Sequence, residues 1–250
     1  MILEYFRPET LKETLSLLSR ETPKTVPLGG GTVLNAPSDD DVAVVDLQAL
    51  GWSGIEQKGR DLVAGATVSL QTLKDTDSIQ PALKSAIRWQ AAYNLRQTGT
   101  IAGALVSGDG RSPFLAVMLA LDTVLVWQPD DLTQPLGEFL PLRAGKWPGA
   151  VISEVSFSTK TALSYEYVAR TPADKPIVCA AAARWPSGRT RIVLGGYGKA
   201  PLTILDGEAN EGMLEAAEAA YLTAGDQWAT ADYRAEMAKV LVSRCLDTLN

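Results

Sequence analysis

The chain has 250 residues, 46% of them hydrophobic and 21% charged, with a net charge of −6 and no histidine. Such a chain can bury one large core or two smaller ones, and it is neither disordered nor basic enough to line a nucleic-acid groove. Without histidine, a Ser-His-Asp triad, an imidazole metal site and an imidazole proton shuttle are all excluded.

Cys179 and Cys245 lie far apart, so a zinc knuckle or an iron–sulfur cluster held by this chain alone is excluded too. Both sit among apolar residues and read as buried free thiols. The N-terminus has no basic-then-apolar signal pattern, and the apolar stretch from Phe114 is broken at Asp122 and Thr123. A cytoplasmic location is therefore expected.

Thr10-Leu11-Lys12-Glu13 has the form of a capping box, and Leu11, Leu15 and Leu18 recur at helical spacing behind it. A strand is expected over Thr25–Leu28, a tight turn at Gly29-Gly30-Gly31 and a buried strand over Val42–Leu47. Further on, Asp61–Ala66 reads as a strand, Ser69–Lys74 as a short helix and Ala82–Tyr93 as a longer one behind Pro81. A helix over Pro113–Leu121 and a strand over Thr123–Trp127 come next. The proline-bearing region 128–148 reads as loops, and Val151–Phe157 alternates as a strand. Strands at Tyr165–Ala169, Ile177–Trp185 and Arg189–Leu194 then precede helices at Glu211–Thr223 and Tyr233–Leu249. Three strands followed by two helices suggest an α+β module, with a boundary near 160. Tyr233, Met237, Leu241, Cys245 and Leu249 fall on one row of the last helix, which would pack on that sheet.

Two glycine-bearing stretches carry the chemistry. In Leu28-Gly29-Gly30-Gly31-Thr32-Val33-Leu34, successive glycines allow backbone N–H groups to converge on an anion without a Cβ in the way. The bland alternative is a plain tight turn, since Pro37 leaves little room for the crossover helix of a dinucleotide fingerprint. In Leu95-Arg96-Gln97-Thr98-Gly99-Thr100-Ile101-Ala102-Gly103, Gly99, Thr100 and Gly103 can present a second set of donors beside the charge of Arg96. There the alternative is a helix end followed by a buried turn. Paired, the two stretches look like one ligand gripped from two places.

Asp39-Asp40-Asp41 reads as a solvated loop, because three consecutive acids do not converge on one metal ion. The serines of Ser107–Ser112 have no histidine to activate them. Tyr197 reads either as a packed tyrosine or as a neighbour of a ring ligand. The six tryptophans, Trp52, Trp89, Trp127, Trp147, Trp185 and Trp228, show no regular spacing and read as core or interface residues.

The two glycine stretches resemble the two FAD pyrophosphate loops in the FAD-binding (medium) subunits of molybdenum hydroxylases, of the carbon monoxide dehydrogenase and xanthine dehydrogenase type. Val44-Val45-Asp46-Leu47, Val63-Ala64-Gly65-Ala66, Leu119-Ala120-Leu121-Asp122, Leu194-Gly195-Gly196-Tyr197-Gly198 and Tyr233-Arg234 follow in the family's order. The chain is similar to a short bacterial version along its whole length.

The resemblance implies an α+β fold: a two-subdomain FAD-binding domain over 1–160, split near 55, and a C-terminal domain over 161–250 with a three-stranded sheet and helices. It implies FAD as cofactor, with contacts at Leu28, Gly29, Gly30, Gly31, Thr32, Val33, Leu34, Arg96, Thr100, Ile101, Gly103, Ala104, Asp109 and Ile152. It also implies a large subunit carrying a molybdenum cofactor and a small subunit carrying iron–sulfur clusters, with electrons passing through the flavin to an acceptor. No side chain of this chain need act as acid, base or metal ligand.

Three positions depart from the family pattern. Ala104 stands where an asparagine is usual, Pro113 where an aspartate is, and Glu166 where a lysine is. Each takes away a polar group expected to face the flavin or its ribityl chain, with Asp109, Arg111 and Ser112 as the nearby candidates to compensate. The alternative reading is a structural subunit that keeps the fold and has no FAD. A third is an isolated nucleotide-binding module.

Overall fold

The structure, a computed structural model, describes residues 1–34, 40–145, 147–171, 174–208 and 212–249. In chain order β1 (Ile2–Phe6), α1 (Leu11–Leu18), β2 (Thr25–Leu28), β3 (Val42–Asp46), β4 (Ile55–Lys58), β5 (Asp61–Gly65) and α2 (Leu70–Asp75) come first. Then follow α3 (Pro81–Gln90), α4 (Tyr93–Thr98), α5 (Ile101–Ser107), α6 (Pro113–Ala120), β6 (Val124–Gln128), β7 (Leu132–Pro135), α7 (Leu136–Leu142) and β8 (Val151–Ser158). The chain ends with β9 (Ala162–Val168), β10 (Val178–Arg184), β11 (Arg189–Gly195), β12 (Leu202–Glu208), α8 (Met213–Ala219) and α9 (Ala231–Leu249).

The chain folds as two units, each threaded by several segments. The first comprises Met1–Asp75, Tyr93–Ser107 and Val124–Phe157; the second comprises Thr76–Ala92, Gly108–Thr123 and Ser158–Asn250. A single cut near 160 does not describe this division. The reason is that α3 and α6 pack on each other and on the C-terminal sheet, so they belong with residues far along the chain rather than with their sequence neighbours.

In the first unit, Thr10 caps α1 by accepting from the Glu13 N–H at 3.3 Å. Leu18 packs with Val45, Leu47 and Val151. The strands form a parallel sheet of order β1-β3-β2 and a five-stranded sheet of order β4-β5-β8-β6-β7. The expected loop region after Gln128 instead holds β7 and α7, with Leu136, Phe139 and Leu140 buried along one helical face.

The second unit is built on an antiparallel sheet of order β12-β11-β10-β9, four strands rather than three. The added strand is β12, whose polar edge carries little of the apolar character that marks β10 and β11. Leu241, Val242 and Cys245 of α9 pack against Val178, Ala180 and Ala182 of β10. Met237 and Leu249 join that face, whereas Tyr233 at the head of the row is exposed. Cys179 and Cys245 are free and buried, and burial pushes both thiols up to about 12.

Candidate functional site

The first glycine stretch leaves β2 and turns back at Gly31, whose φ of 68° is a conformation glycine tolerates. A Cβ on Gly30 would stand 1.7 Å from the Thr98 carbonyl oxygen, and one on Gly29 would stand 2.5 Å from Thr100 Oγ1. The two glycine stretches therefore touch, backbone to backbone at Gly30, and only glycine permits it.

Their amides are used differently. Among the described residues, the N–H groups of Gly29, Gly30, Gly31 and Thr32 donate to nothing, while the Gly29 carbonyl accepts from Gln48 Nε2 at 3.0 Å. In the second stretch most donors are spent, although the Thr100 N–H donates to nothing among the described residues. Gly99 N–H donates to Leu95 O at 2.7 Å, Ile101 to Val68 O at 2.9 Å, Gly103 to Thr100 Oγ1 at 3.2 Å and Ala104 to Thr100 O at 3.0 Å. The second stretch therefore does not offer Gly99 and Gly103 as anion donors; these amides start α5 and tie it to the turn before α2. Its contribution is the Thr100 N–H and side chain, with a backbone close enough to brace the first turn.

Two cavities meet at this turn. One, of about 570 Å³, has a mixed lining that includes Leu28, Gly29–Gly31, Asp46, Gln48, Thr67, Ser69, Thr72, Gln97 and Thr98. Asp46 accepts from Tyr5 Oη at 2.5 Å and from the Gln48 N–H at 2.9 Å, and the Thr67 hydroxyl is buried without a partner among the described residues.

The other cavity, of about 460 Å³, is lined mainly by apolar side chains. It takes in Gly29–Leu34, Thr100, Gly103, Val106 and Ile152, with Lys24 and Arg143 as its cations. Trp127, Phe139 and Trp147 also line it; the two indoles stack at 4.9 Å with 14° between planes. No spacing rule pairs these indoles in the sequence, since β7 and α7 intervene between them.

The remaining candidate residues stand elsewhere. Arg96 is buried and its Nε donates to Gln71 Oε1 at 3.0 Å, so its charge holds α4 against α2. Ile101 is core, and Ala104 lies on α5 and lines neither cavity.

Asp109 belongs to the second unit, where it accepts from the Arg111 N–H at 3.0 Å and pairs with Lys175 at 3.4 Å. Arg111 donates to the carbonyls of Pro176 and Lys175, and Ser112 caps α6 and donates to Gln90 Oε1. Tyr197 is a packed residue, beneath the Arg234 guanidinium at 5.0 Å and edge-on to Tyr221. Of the three acids, Asp39 lies outside the described residues; Asp40 and Asp41 engage the N-terminal amine. Among the described residues no group of acids and cysteines forms a metal site.

The chain belongs to the family of the FAD binding domain in molybdopterin dehydrogenase, whose pattern it matches over residues 1–157. It is 29% identical over 210 residues to YgfM of Escherichia coli K12, a protein of uncharacterized function, covering 83% of this chain and 80% of that one. It is also 25% identical to the carbon monoxide dehydrogenase medium chain of Afipia carboxidovorans, covering 98% and 95%.

Among solved structures, the cyanide-inactivated Cu,Mo-CO dehydrogenase matches with a TM-score of 0.81 at 23% identity, over 100% of this chain and 98% of that one. Quinoline 2-oxidoreductase from Pseudomonas putida 86 matches with a TM-score of 0.80 at 22% identity, over 100% and 97%. These likenesses establish the fold. Among the described residues, no helix is long and apolar enough to cross a membrane.

Proposed function

We propose that the chain is the FAD-carrying medium subunit of a cytoplasmic molybdenum-hydroxylase-type oxidoreductase, working with a large molybdenum-cofactor subunit and a small iron–sulfur subunit. The observation that carries this reading is the set of unengaged N–H groups of Gly29–Thr32 beside a largely apolar cavity. Unengaged backbone donors on successive glycines suit a diphosphate, and Lys24 and Arg143 line the same cavity with charge of the right sign. Leu34, Val106 and Ile152 then cover apolar ring and sugar surface.

When bound, FAD supplies the electron-accepting chemistry that no side chain here possesses. The protein's part is to hold and orient. Gly29–Thr32 would hold the diphosphate, and Thr98 and Thr100 brace that turn from behind.

A second reading, a structural subunit without flavin, is favoured by one observation. Asp109, Arg111 and Ser112, the candidates to make up for Ala104, Pro113 and Glu166, are all engaged within their own unit.

The test is reconstitution of the purified chain with excess FAD, removal of free nucleotide, and visible absorption. The wild type is expected to retain the flavin bands. Gly30→Ala, whose Cβ meets a backbone oxygen at 1.7 Å, is expected to lose more than about 90% of retained flavin. A wild-type chain that retains none, alone or in its native complex, leaves the structural-subunit reading.

A further inference from the structure

We propose that Gln48 aims the first glycine turn: it pins the Gly29–Gly30 peptide so that the Gly30 N–H is held out for the diphosphate, and it does so without touching the ligand. This rests on the FAD reading and names a positioning residue for that same site.

The need for such a residue comes from three successive glycines. A peptide plane between glycines turns over at little steric cost, and each plane that turns over withdraws one donor. Fixing the turn beforehand takes that ordering cost out of the binding step. Two contacts fix this one. The Thr98 carbonyl oxygen stands against Gly30, 1.7 Å from where a Cβ would be, and the Gly29 carbonyl accepts from Gln48 Nε2 at 3.0 Å.

The Gly29–Gly30 peptide is trans, so its C=O and N–H point opposite ways. With the C=O turned to Gln48, the Gly30 N–H faces away from it. Gln48 lines the first cavity and not the second, whereas Gly30 borders both. A donor on the carbonyl also polarises the N–H of the same peptide, which strengthens its hold on an anion.

Gln48 is itself placed by the fold. Leu28 ends β2 opposite Asp46 at the end of β3, and the Leu47 N–H donates to Leu28 O at 3.0 Å, which sets Gln48 beside the turn. Asp46, 7% exposed, accepts from the Gln48 N–H at 2.9 Å and from Tyr5 Oη at 2.5 Å. The Gln48 side chain is exposed, so water replaces its bond to Gly29 at small cost to folding. Removing that bond therefore tests aim apart from stability.

The experiment is titration of the full chain with FAD by calorimetry, for the wild type, Gln48→Met and Gln48→Glu, with melting temperatures alongside. Gln48→Met keeps the length and loses the donor. It is expected to weaken FAD about three- to tenfold, the worth of one hydrogen bond, with a melting temperature near that of the wild type. Gln48→Glu is expected to be weaker still near neutral pH, where its carboxylate faces the Gly29 carbonyl. As the pH is lowered toward about 4.5 the glutamate takes up a proton and donates again. Its affinity, relative to the wild type at each pH, is then expected to rise past that of Gln48→Met. Removal of charge alone would bring it only level.

Wild-type affinity in Gln48→Met overturns the proposal and leaves the FAD reading intact. So does a Gln48→Glu variant that rises no further than Gln48→Met. A loss of affinity accompanied by a drop in melting temperature of more than about 4 °C makes Gln48 a structural residue, and overturns it as well. A wild-type chain that binds no FAD, alone or in its native complex, overturns both readings together.

Discussion

Two glycine-rich turns of this chain have similar sequences and opposite uses. In Leu28–Leu34 the glycines admit a neighbouring backbone on one side and leave their own N–H groups unengaged among the described residues. In Leu194–Gly198 they admit a neighbouring backbone and are consumed by it. Gly196 N–H donates to Gly110 O at 2.6 Å, Gly110 N–H donates to Gly198 O at 3.0 Å, and a Cβ on Gly196 would stand 2.2 Å from Ile177 O. Glycine in both cases permits close approach; what separates the proposed binding turn from the packing turn is whether its donors are already spent.

The largest effect that sharpens this contrast is expected at Arg234, which is 0% exposed and lies under the second turn against Tyr197. Its guanidinium donates to Ile177 O at 3.1 Å, to Ala224 O at 2.6 Å and to both carboxylate oxygens of Asp226 at 2.9 and 3.0 Å. Arg234→Met strands the buried Ile177 and Ala224 carbonyls, and each buried acceptor left unsatisfied costs about 1–3 kcal/mol, whereas the exposed Asp226 carboxylate is taken up by water. Denaturant unfolding of the variant is expected to show that loss. A change below about 1 kcal/mol, within the ordinary range of point substitutions, would mean the turn is not buttressed from beneath.

Gly110→Ala comes next. Its Cβ would stand 1.8 Å from the Tyr197 carbonyl oxygen, nearly the clash that Gly30→Ala makes with Thr98. Overpacking of this kind costs about 1–3 kcal/mol. If the contrast between the turns holds, Gly110→Ala lowers the melting temperature and leaves nucleotide affinity unchanged, whereas Gly30→Ala removes affinity. Equal loss of binding in both would break it.

Local patterns are legible in the sequence. Thr25–Leu28 forms the expected strand, Asp61–Ala66 is one residue shorter as β5, and Thr10 caps its helix as its spacing to Glu13 requires. The first glycine turn is legible as well, because few residue types tolerate such backbone approach. What escapes depends on partners distant in the chain. Whether Gly99 and Ile101 can donate to a ligand is decided by Leu95 O and Val68 O. That Trp127 meets Trp147 is decided by how β6 and the segment after α7 come together. Arg96 reads as a ligand cation because charge beside glycine suggests phosphate, but only the fold reveals Gln71 across from it. The grouping of α3 and α6 with the C-terminal sheet is likewise absent from periodicity, which reports a buried face without naming what buries it.

The smallest effect expected concerns the ion network that joins β11 to β12 and to the end of α6. Asp206 accepts from Arg189 at 2.7 Å and from Arg191 at 2.5 Å, and Asp122 accepts from the same two arginines. The Arg189 hydrogen bond, helped by Arg191, holds the Asp206 carboxyl down to about 2 from an ordinary 3.8. A carboxyl whose pKa is lower in the folded chain than in the unfolded one stabilises the fold above the unfolded value. That contribution disappears as the pH falls through the folded value. Melting temperature is therefore expected to decline between about pH 4 and pH 2, and Asp206→Asn is expected to flatten that part of the curve. The effect is small because the carboxylate is partly exposed, at 33%, and salt screens it. The network belongs wholly to the second unit, so loss of nucleotide affinity in Asp206→Asn would show that binding draws on that unit after all.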